Sequence, residues 1–218
     1  MEYLIIANGL FLTKSLLLEI AKNKTIIALD GAADALMHLN IFPDIILGDF
    51  DSIRKETLDL MAFNASEIKK NTQIIHAENQ NYTDLAKALY YLNHLPNKPK
   101  AIHIVCATGG RMDHELANIR LLQEYYDPER PLYMHTETQS LFFVRDQKNL
   151  LISGQDQEIC GFFGSPRATL TVHHGLAYGN KEPYELFLGH DSKHHNSDVL
   201  ASIMSKEYFK KGINITYT

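Results

Sequence analysis

The sequence predicts an α/β protein whose N-terminal domain is built on a mostly parallel sheet and is followed by a smaller all-β sandwich. Three observations carry that prediction. Up to about residue 125, short apolar runs alternate with segments whose apolar residues recur at helical spacing, the pattern of βαβ units with right-handed crossovers. Beyond Pro128 and Pro131 come short β-type runs broken by Gly154, Gly161, Gly164, Gly175, Gly179 and Gly189, as in an antiparallel sandwich. The change of texture falls near residues 127–137 and divides the chain into residues 1–132 and 133–218.

Taken in order, residues 3–7 (Tyr3-Leu4-Ile5-Ile6-Ala7) form an apolar strand that ends at the turn signal Asn8-Gly9. From Thr13 to Lys22, Leu16, Leu17 and Ile20 share a helical face. A second strand over Thr25–Leu29 ends at Asp30-Gly31, and an Ala-rich helix over Ala32–Leu39 follows. Ile45–Leu47 is a third strand stopped by Gly48, and Ser52 suits the N-cap of a helix over Arg54–Phe63. Residues 73–76 suit a further strand. Leu85, Ala88, Leu89 and Leu92 make the stripe of a helix over Tyr82–His94, closed by Pro96 and Pro99. Ala101–Cys106 reads as a buried strand broken by Gly109-Gly110. A helix over Asp113–Tyr125 has Leu116, Ile119 and Gln123 on one side and Leu121 and Leu122 beside them. The pairs Tyr90-Tyr91 and Tyr125-Tyr126 lie on or near these helices, where packing accounts for them. The C-terminal strands are expected at Ser140–Val144, Asn149–Ile152, Glu158–Phe163, Ala168–Val172, Tyr184–Leu188 and Ile213–Thr216, with one helix over Val199–Met204.

Composition narrows the classes of function. At 218 residues, 45% hydrophobic and 22% charged, the chain has the make-up of a soluble globular protein. A net charge of −5 gives no electrostatic attraction for nucleic acid or an anionic membrane, so neither is expected as a partner. No apolar stretch reaches the ~20 residues of a membrane span. The N-terminus lacks a basic region before its short apolar run and reads as a core strand rather than a signal peptide. Cys106 and Cys160 are too few for a disulfide framework; as reduced thiols they point to a cytoplasmic protein. His173, His174, His190, His194 and His195 lack the spacing of a closed zinc site.

The acidic residues of the first part are not scattered. In extended backbone, residues two apart project to the same side, so Asp49 and Asp51 aim at one point while Phe50 turns away. Two carboxylates so placed repel unless a cation or proton lies between them. A hard divalent cation such as magnesium, which takes oxygen ligands, suits the place. Turn formation and helix capping are the other uses of such a pair. Asp30, Asp49, Asp51 and Asp113 each follow the C-terminal end of an expected strand, and Asp84 opens a helix. In open α/β sheets, ligands bind beyond those strand ends, so the aspartates converge by topology. The stretch Ala107-Thr108-Gly109-Gly110-Arg111 adds a side suited to anions. Its glycines let backbone amides approach phosphate, the following helix N-terminus favours negative charge, and Arg111 offers a planar fork. It is neither a Walker A loop nor a dinucleotide fingerprint.

Four strings, taken in order, resemble the motif set of the thiamine pyrophosphokinase family. They are Asp30-Gly31-Ala32-Ala33; Pro43-Asp44 with Gly48-Asp49-Phe50-Asp51-Ser52; Tyr82-Thr83-Asp84; and Ala107-Thr108-Gly109-Gly110-Arg111-Met112-Asp113-His114. The resemblance spans residues 3–135 and continues through Gly175-Leu176-Ala177-Tyr178 and His195-Asn196. It implies an α/β catalytic domain and a β-sandwich assembled as a homodimer with active sites at the subunit interface. It also implies magnesium-dependent transfer of the pyrophosphoryl group of ATP to the hydroxyethyl oxygen of thiamine, giving thiamine diphosphate and AMP. By position, Asp30, Asp49, Asp51 and Asp84 match the family's metal and triphosphate cluster. Arg111 and Asp113 join Asp49 and Asp51 in the catalytic set, and Thr83, Thr108, Gly109, Gly110 and His114 match nucleotide-binding positions beside Asp30. Three roles stay open for Asp113: accepting the proton of the thiamine hydroxyl, orienting that hydroxyl, or attracting the cationic thiazolium. The sequence departs from the family where Asn79-Gln80-Asn81 replaces further acids and where Cys106 stands at a common glycine. A diphosphokinase for another hydroxyalkyl heterocycle, such as a pterin, and a non-catalytic nucleotide or vitamin sensor are the rival readings.

Overall fold

The computed structural model describes residues 1–63, 72–145, 150–151, 159–170, 184–187, 197–204 and 216–217. The chain forms two units, the first comprising Met1–Tyr125 and Glu129–Glu137, the second Tyr126–Pro128 and Thr138–Thr218.

The first unit alternates strand and helix as its apolar pattern requires. Its strands are β1 (Glu2–Ile6), β2 (Lys24–Leu29), β3 (Ile45–Gly48), β4 (Gln73–His76), β5 (Ala101–Val105) and β6 (Leu132–His135). Between them run α1 (Lys14–Ala21), α2 (Ala32–His38), α3 (Lys55–Phe63), α4 (Asp84–Asn93) and α5 (Met112–Glu124). All six strands are parallel, in the order β6-β5-β1-β2-β3-β4. The mixed α/β fold with a mostly parallel sheet expected from the sequence is thus present. Leu4, Ile5 and Ile6 of β1 are all fully buried, as is usual for a parallel strand covered on both faces. The helices dock their apolar stripes: Leu17 and Ile20 from α1, Leu36 from α2, and Leu85, Ala88, Leu89 and Leu92 from α4.

This strand order creates one place for a ligand. From β1 the chain moves outward through β2, β3 and β4, then returns to pair β5 with the other side of β1. The loops after β1 and β5 therefore leave in opposite directions, and a crevice opens beyond their C-terminal ends.

Several elements differ from the sequence reading. β6 went unassigned because four residues after two prolines carry too little periodicity to register. Ser52 is not the cap of α3: the amides of Thr57 and Leu58 donate to the Arg54 carbonyl, and the helix starts at Lys55, one residue later than expected. On α5 the buried residues are Leu121 and Leu122, while Leu116 is 63% exposed, so the inward face is narrower than the stripe suggested. Tyr90 is exposed and rests on the ring of His94 instead of packing into the core.

In the second unit, β10 (Tyr184–Phe187), β9 (Ile159–Leu170), β11 (Ser197–Met204) and β7 (Ser140–Arg145) follow one another as antiparallel neighbours. β8 (Leu150–Leu151) and β12 (Thr216–Tyr217) form a separate antiparallel pair. The expected helix over Val199–Met204 is instead part of β11, paired along both sides; six residues cannot separate a helical from a strand period, and the pairing decides. The two expected strands Glu158–Phe163 and Ala168–Val172 are one, β9. Gly164, expected to punctuate, does not break it, and Pro166 falls opposite Ser197, the first residue of β11, where a missing donor costs little. Gly154, Gly175, Gly179 and Gly189, the string Gly175–Tyr178, His195-Asn196 and the histidines His173, His174, His190 and His194 lie outside the described residues.

Candidate active site

The loops at the switch point enclose a cleft of about 430 Å³ within the first unit. Ala7, Asn8 and Gly9 line it from the end of β1, Asp30 from β2, Asp49, Asp51 and Ser52 from β3, and Cys106, Ala107 and Thr108 from β5. Thr83, Asp84 and Lys87 enter from the start of α4, and Gly110, Arg111 and His114 from the start of α5.

Asp30, Asp49 and Asp51 offer carboxylate oxygens that lie within 4.8 Å of one another. The convergence expected of Asp49 and Asp51 is present, but its cause is different. β3 ends at Gly48, and Phe50 is left-handed with φ of 66°, so a turn rather than an extended strand aims the two acids together. Phe50 is held there with its ring stacked on His76 at 5.2 Å, while a ring nitrogen of His76 lies 3.2 Å from the Asp49 carbonyl oxygen. Asp30, at φ of 43°, and Cys106, at φ of 57°, are left-handed at the ends of β2 and β5 as well. Non-glycine residues cost about 1–2 kcal/mol in this region, so the rim stores strain where the chain must turn sharply toward the cleft. Cys106 keeps a side chain in a conformation that suits glycine. Burial pushes its thiol up to about 11, so it is an inert packing group.

The three acids have unlike surroundings. Asp30 is only 5% exposed, and its Oδ2 accepts the Ser52 amide at 3.2 Å. Its Oδ1 is buried and has no hydrogen-bond partner among the described residues. Burial raises its carboxyl above the ordinary range, against the opposing hydrogen bond from Ser52. Gly48 makes this placement possible, because a Cβ there would sit 2.9 Å from the Asp30 Cβ. Asp49 is the opposite case. Its Oδ2 accepts Lys87 Nζ at 3.1 Å and Gln80 Nε2 at 3.0 Å, and the hydrogen bond from Lys87 is the main cause that lowers its carboxyl. Asp51 accepts the hydroxyl of Ser52 at 2.8 Å. Asp84 stands apart from the close trio, with its Oδ1 accepting Lys87 Nζ at 2.9 Å.

The other expected residues sort clearly. Thr83 caps α4, its hydroxyl accepting the Ala86 amide at 3.3 Å. Gly109 needs its glycine, since at φ of 78° an added Cβ would also press on Leu10. The amides of Gly109 and Gly110 both donate to Glu115 Oε1, so a carboxylate of α5 already lies where the sequence expected an anion. Arg111 pairs with Asp113, with Nε to Oδ1 at 3.1 Å and NH2 to Oδ2 at 2.5 Å. That pair is largely exposed; Arg111 and His114 line the cleft, whereas Asp113 and Gly109 are not part of its wall. The guanidinium holds the Asp113 carboxyl below the usual range. Sequence reasoning passed over Lys87, although its spacing of three from Asp84 on a helix was a visible signal. It also gave no role to Gln80, Glu115 or Asn118, whose amide donates to the Ala107 carbonyl at 2.9 Å.

Residues 16–134 match the family model described as the thiamin pyrophosphokinase catalytic domain. The chain belongs to the thiamin pyrophosphokinase family. The cleft residues from Asp30 to Asn118 fall inside that matched segment, and Ala7, Asn8 and Gly9 precede it. Thiamine pyrophosphokinase 1 of Arabidopsis thaliana is 38% identical over 100 residues, which are 43% of this chain and 35% of that protein. Thiamin pyrophosphokinase 1 of Caenorhabditis elegans is 29% identical over 141 residues, 61% of this chain and 49% of that protein. The chain thus aligns with between a third and a half of the length of these curated relatives. The fold extends the likeness: the crystal structure of thiamine pyrophosphokinase from Bacillus subtilis superposes with a TM-score of 0.71 at 20% identity, covering 94% of this chain and 99% of that one.

Proposed function

We propose that this thiamin pyrophosphokinase family member is a thiamine diphosphokinase, moving the pyrophosphoryl group of ATP to the hydroxyethyl oxygen of thiamine and releasing AMP. The observation that carries the reading is Asp30, whose carboxylate lies within 4.8 Å of those of Asp49 and Asp51 and whose buried Oδ1 has no hydrogen-bond partner among the described residues. A buried acceptor without a donor is costly, and a hard cation satisfies it. The donor set, all carboxylate oxygen, fits magnesium. Asp30, Asp49 and Asp51 would hold it, with Asp84 close behind through Lys87. When bound, magnesium neutralises charge on the phosphates and on the transferring group.

The remaining roles belong to the chain's own groups. Arg111, at the mouth of the cleft, is suited to phosphate oxygens by its planar fork. Thr108, Gly110 and His114 line the path of the triphosphate, with Thr83 and Gly109 setting the turns that shape it. Asp113 meets the acceptor's hydroxyl or its cationic ring, released from Arg111 as that side chain turns to phosphate. In this reading the second unit is a β-sandwich that completes the thiamine pocket, residues 1–132 and 133–218 being the catalytic and the thiamine-binding, dimerisation parts. The protein works as a homodimer with each active site at the subunit interface, in the cytoplasm. The free, buried thiol of Cys106 agrees with a reducing compartment. Among the described residues, no helix is long and apolar enough to cross a membrane.

One assay decides: release of AMP from ATP and magnesium, with thiamine or a hydroxymethylpterin as acceptor. AMP that depends on thiamine is the expected result. AMP that depends on the pterin reassigns the acceptor, and tight nucleotide binding without turnover makes the protein a sensor.

A further inference from the structure

The cleft contains a buried cation, Lys87. Lys87 is only 7% exposed in its side chain, yet it reaches two carboxylates, Asp49 at 3.1 Å and Asp84 at 2.9 Å. Asp84 and Lys87 are three residues apart on α4, so they share a helix face, whereas Asp49 comes from the end of β3. The ammonium thus ties the helix start to the acidic strand end. Burial alone lowers the Lys87 ammonium, but the two carboxylates outweigh it and raise the group, which stays a cation. The oxygen that it holds, Asp49 Oδ2, belongs to one of the three acids, Asp30, Asp49 and Asp51, whose carboxylates come within 4.8 Å of one another.

We propose that Lys87 is the resident counterion of the carboxylate cluster, competing with the divalent cation for Asp49 and turning to the nucleotide's phosphates once that cation is in place. The proposal rests on the reading that Asp30, Asp49 and Asp51 bind the metal. Without metal, three carboxylates within 4.8 Å repel one another, and Lys87 offsets part of that repulsion. Metal at the cluster withdraws Asp49 from the ammonium. Lys87 then keeps Asp84 as its anchor and faces a cleft into which both residues already project. A lysine is suited to this exchange because its charge is compact and its stem flexible. The device orders events: metal weakens one bond of Lys87, and the freed donors then favour an anionic ligand, so metal and nucleotide bind cooperatively.

The test uses the full-length protein as Lys87→Met and Lys87→Arg. Mn2+ binding is measured by electron paramagnetic resonance without nucleotide, the affinity for α,β-methylene ATP at saturating Mg2+, and the melting temperature with EDTA and with Mg2+. The proposal expects opposite signs in Lys87→Met: Mn2+ bound about tenfold tighter and the nucleotide analogue about tenfold weaker. It also expects a loss of melting temperature in EDTA that Mg2+ largely restores, with Lys87→Arg near the wild type in all three. A purely structural lysine gives equal losses of melting temperature with and without Mg2+ and unchanged Mn2+ affinity, and that result overturns the proposal. Failure of the metal reading looks different: wild type and Asp51→Asn then bind Mn2+ equally poorly.

Discussion

Two polar clusters are built into the same parallel sheet, and they are finished differently. Across β5 and β6, His103 Nδ1 lies 2.9 Å from His135 Nε2, and His103 Nε2 lies 3.5 Å from the Glu2 carboxylate, which in turn is 3.6 Å from Lys24. Tyr133 stacks on both rings, at 5.4 Å from His103 and 6.0 Å from His135. That cluster closes on itself. At the ends of β2 and β3, by contrast, Asp30 has one satisfied oxygen and one buried oxygen with no partner among the described residues, held by a backbone in left-handed conformations. Both sets are costly to bury, but only the second leaves its cost open toward a cleft. Closure marks a structural network, and an open buried acceptor at a strand end marks a place for a ligand.

The largest test of this contrast is to neutralise an acid at the open cluster. Asp49→Asn or Asp51→Asn should lower turnover at least ~100-fold, and Asp51→Asn with little change in melting temperature, since Asp51 makes no contact with Lys87 while Asp49 holds that buried ammonium. Near-normal turnover at saturating Mg2+ would break the contrast. A smaller effect is expected from Gly48→Ala, which leaves every acid in place. Its Cβ would meet the Asp30 Cβ at 2.9 Å and the Asp30 backbone at 3.3 Å, so Asp30 must shift. A displacement of this kind should cost roughly tenfold in kcat and about 1–2 kcal/mol of stability. Unchanged Mn2+ affinity in this variant would show that the position of Asp30 is not critical.

The contrast also shows what the sequence could and could not reveal. The parallel sheet was legible because covered strands read as unbroken apolar runs, as in Tyr3–Ala7 and Ile45–Leu47. The aspartates were legible in part because strand ends converge by topology: Asp30, Asp49 and Asp51 come together, whereas Asp113, expected at the same rim, stands exposed beside Arg111 outside the cleft wall. Their mutual aim was misread, because no local rule announces that Phe50 takes a left-handed turn; the surrounding fold imposes it. The helical spacing of Lys87 from Asp84 could be read, but not its link to Asp49, which lies thirty-eight residues away, beyond any helix spacing. The histidine network was invisible for the same reason: Glu2, His103 and His135 meet only when β1, β5 and β6 pair. β11 was mistaken for a helix because its identity rests on two partner strands, not on its own pattern.

The closed cluster makes a prediction of its own, on stability and not on turnover. Burial lowers His103 to about 4, and burial with the neighbouring His103 lowers His135 further below its ordinary value. The unfolded chain takes up these protons near pH 6.5, whereas the folded protein refuses them until the lower values are reached. Stability is therefore full above 6.5 and falls as the pH drops toward 4, by roughly 1.4 kcal/mol per pH unit for each histidine. Denaturant titrations at pH 7 and 5 should show this slope. The paired substitution His103→Leu with His135→Phe should flatten it without touching the kcat of the surviving protein. A variant with the wild-type slope would place the acid sensitivity elsewhere.

Asp30→Asn gives the smallest effect on stability and the sharpest sign. The carboxyl of Asp30 is raised by burial, so its ionised form is disfavoured in the fold. For an acid whose folded value exceeds its unfolded one, the penalty is complete above the folded value and vanishes below the unfolded value, 3.8 for aspartate. Asparagine keeps an oxygen for the Ser52 amide and offers Asp49 and Asp51 a donor in place of a third negative charge. In EDTA at pH 7 the variant should thus be more stable than the wild type, a gain that fades as the pH falls toward 3.8. With Mg2+ the order should reverse, because the wild type alone gains a ligand for its unpartnered oxygen. Histidine substitutions in the closed cluster should show no such reversal. If Asp30→Asn loses stability in EDTA, then Asp30 Oδ1 is satisfied within the protein, and the distinction between the two clusters fails.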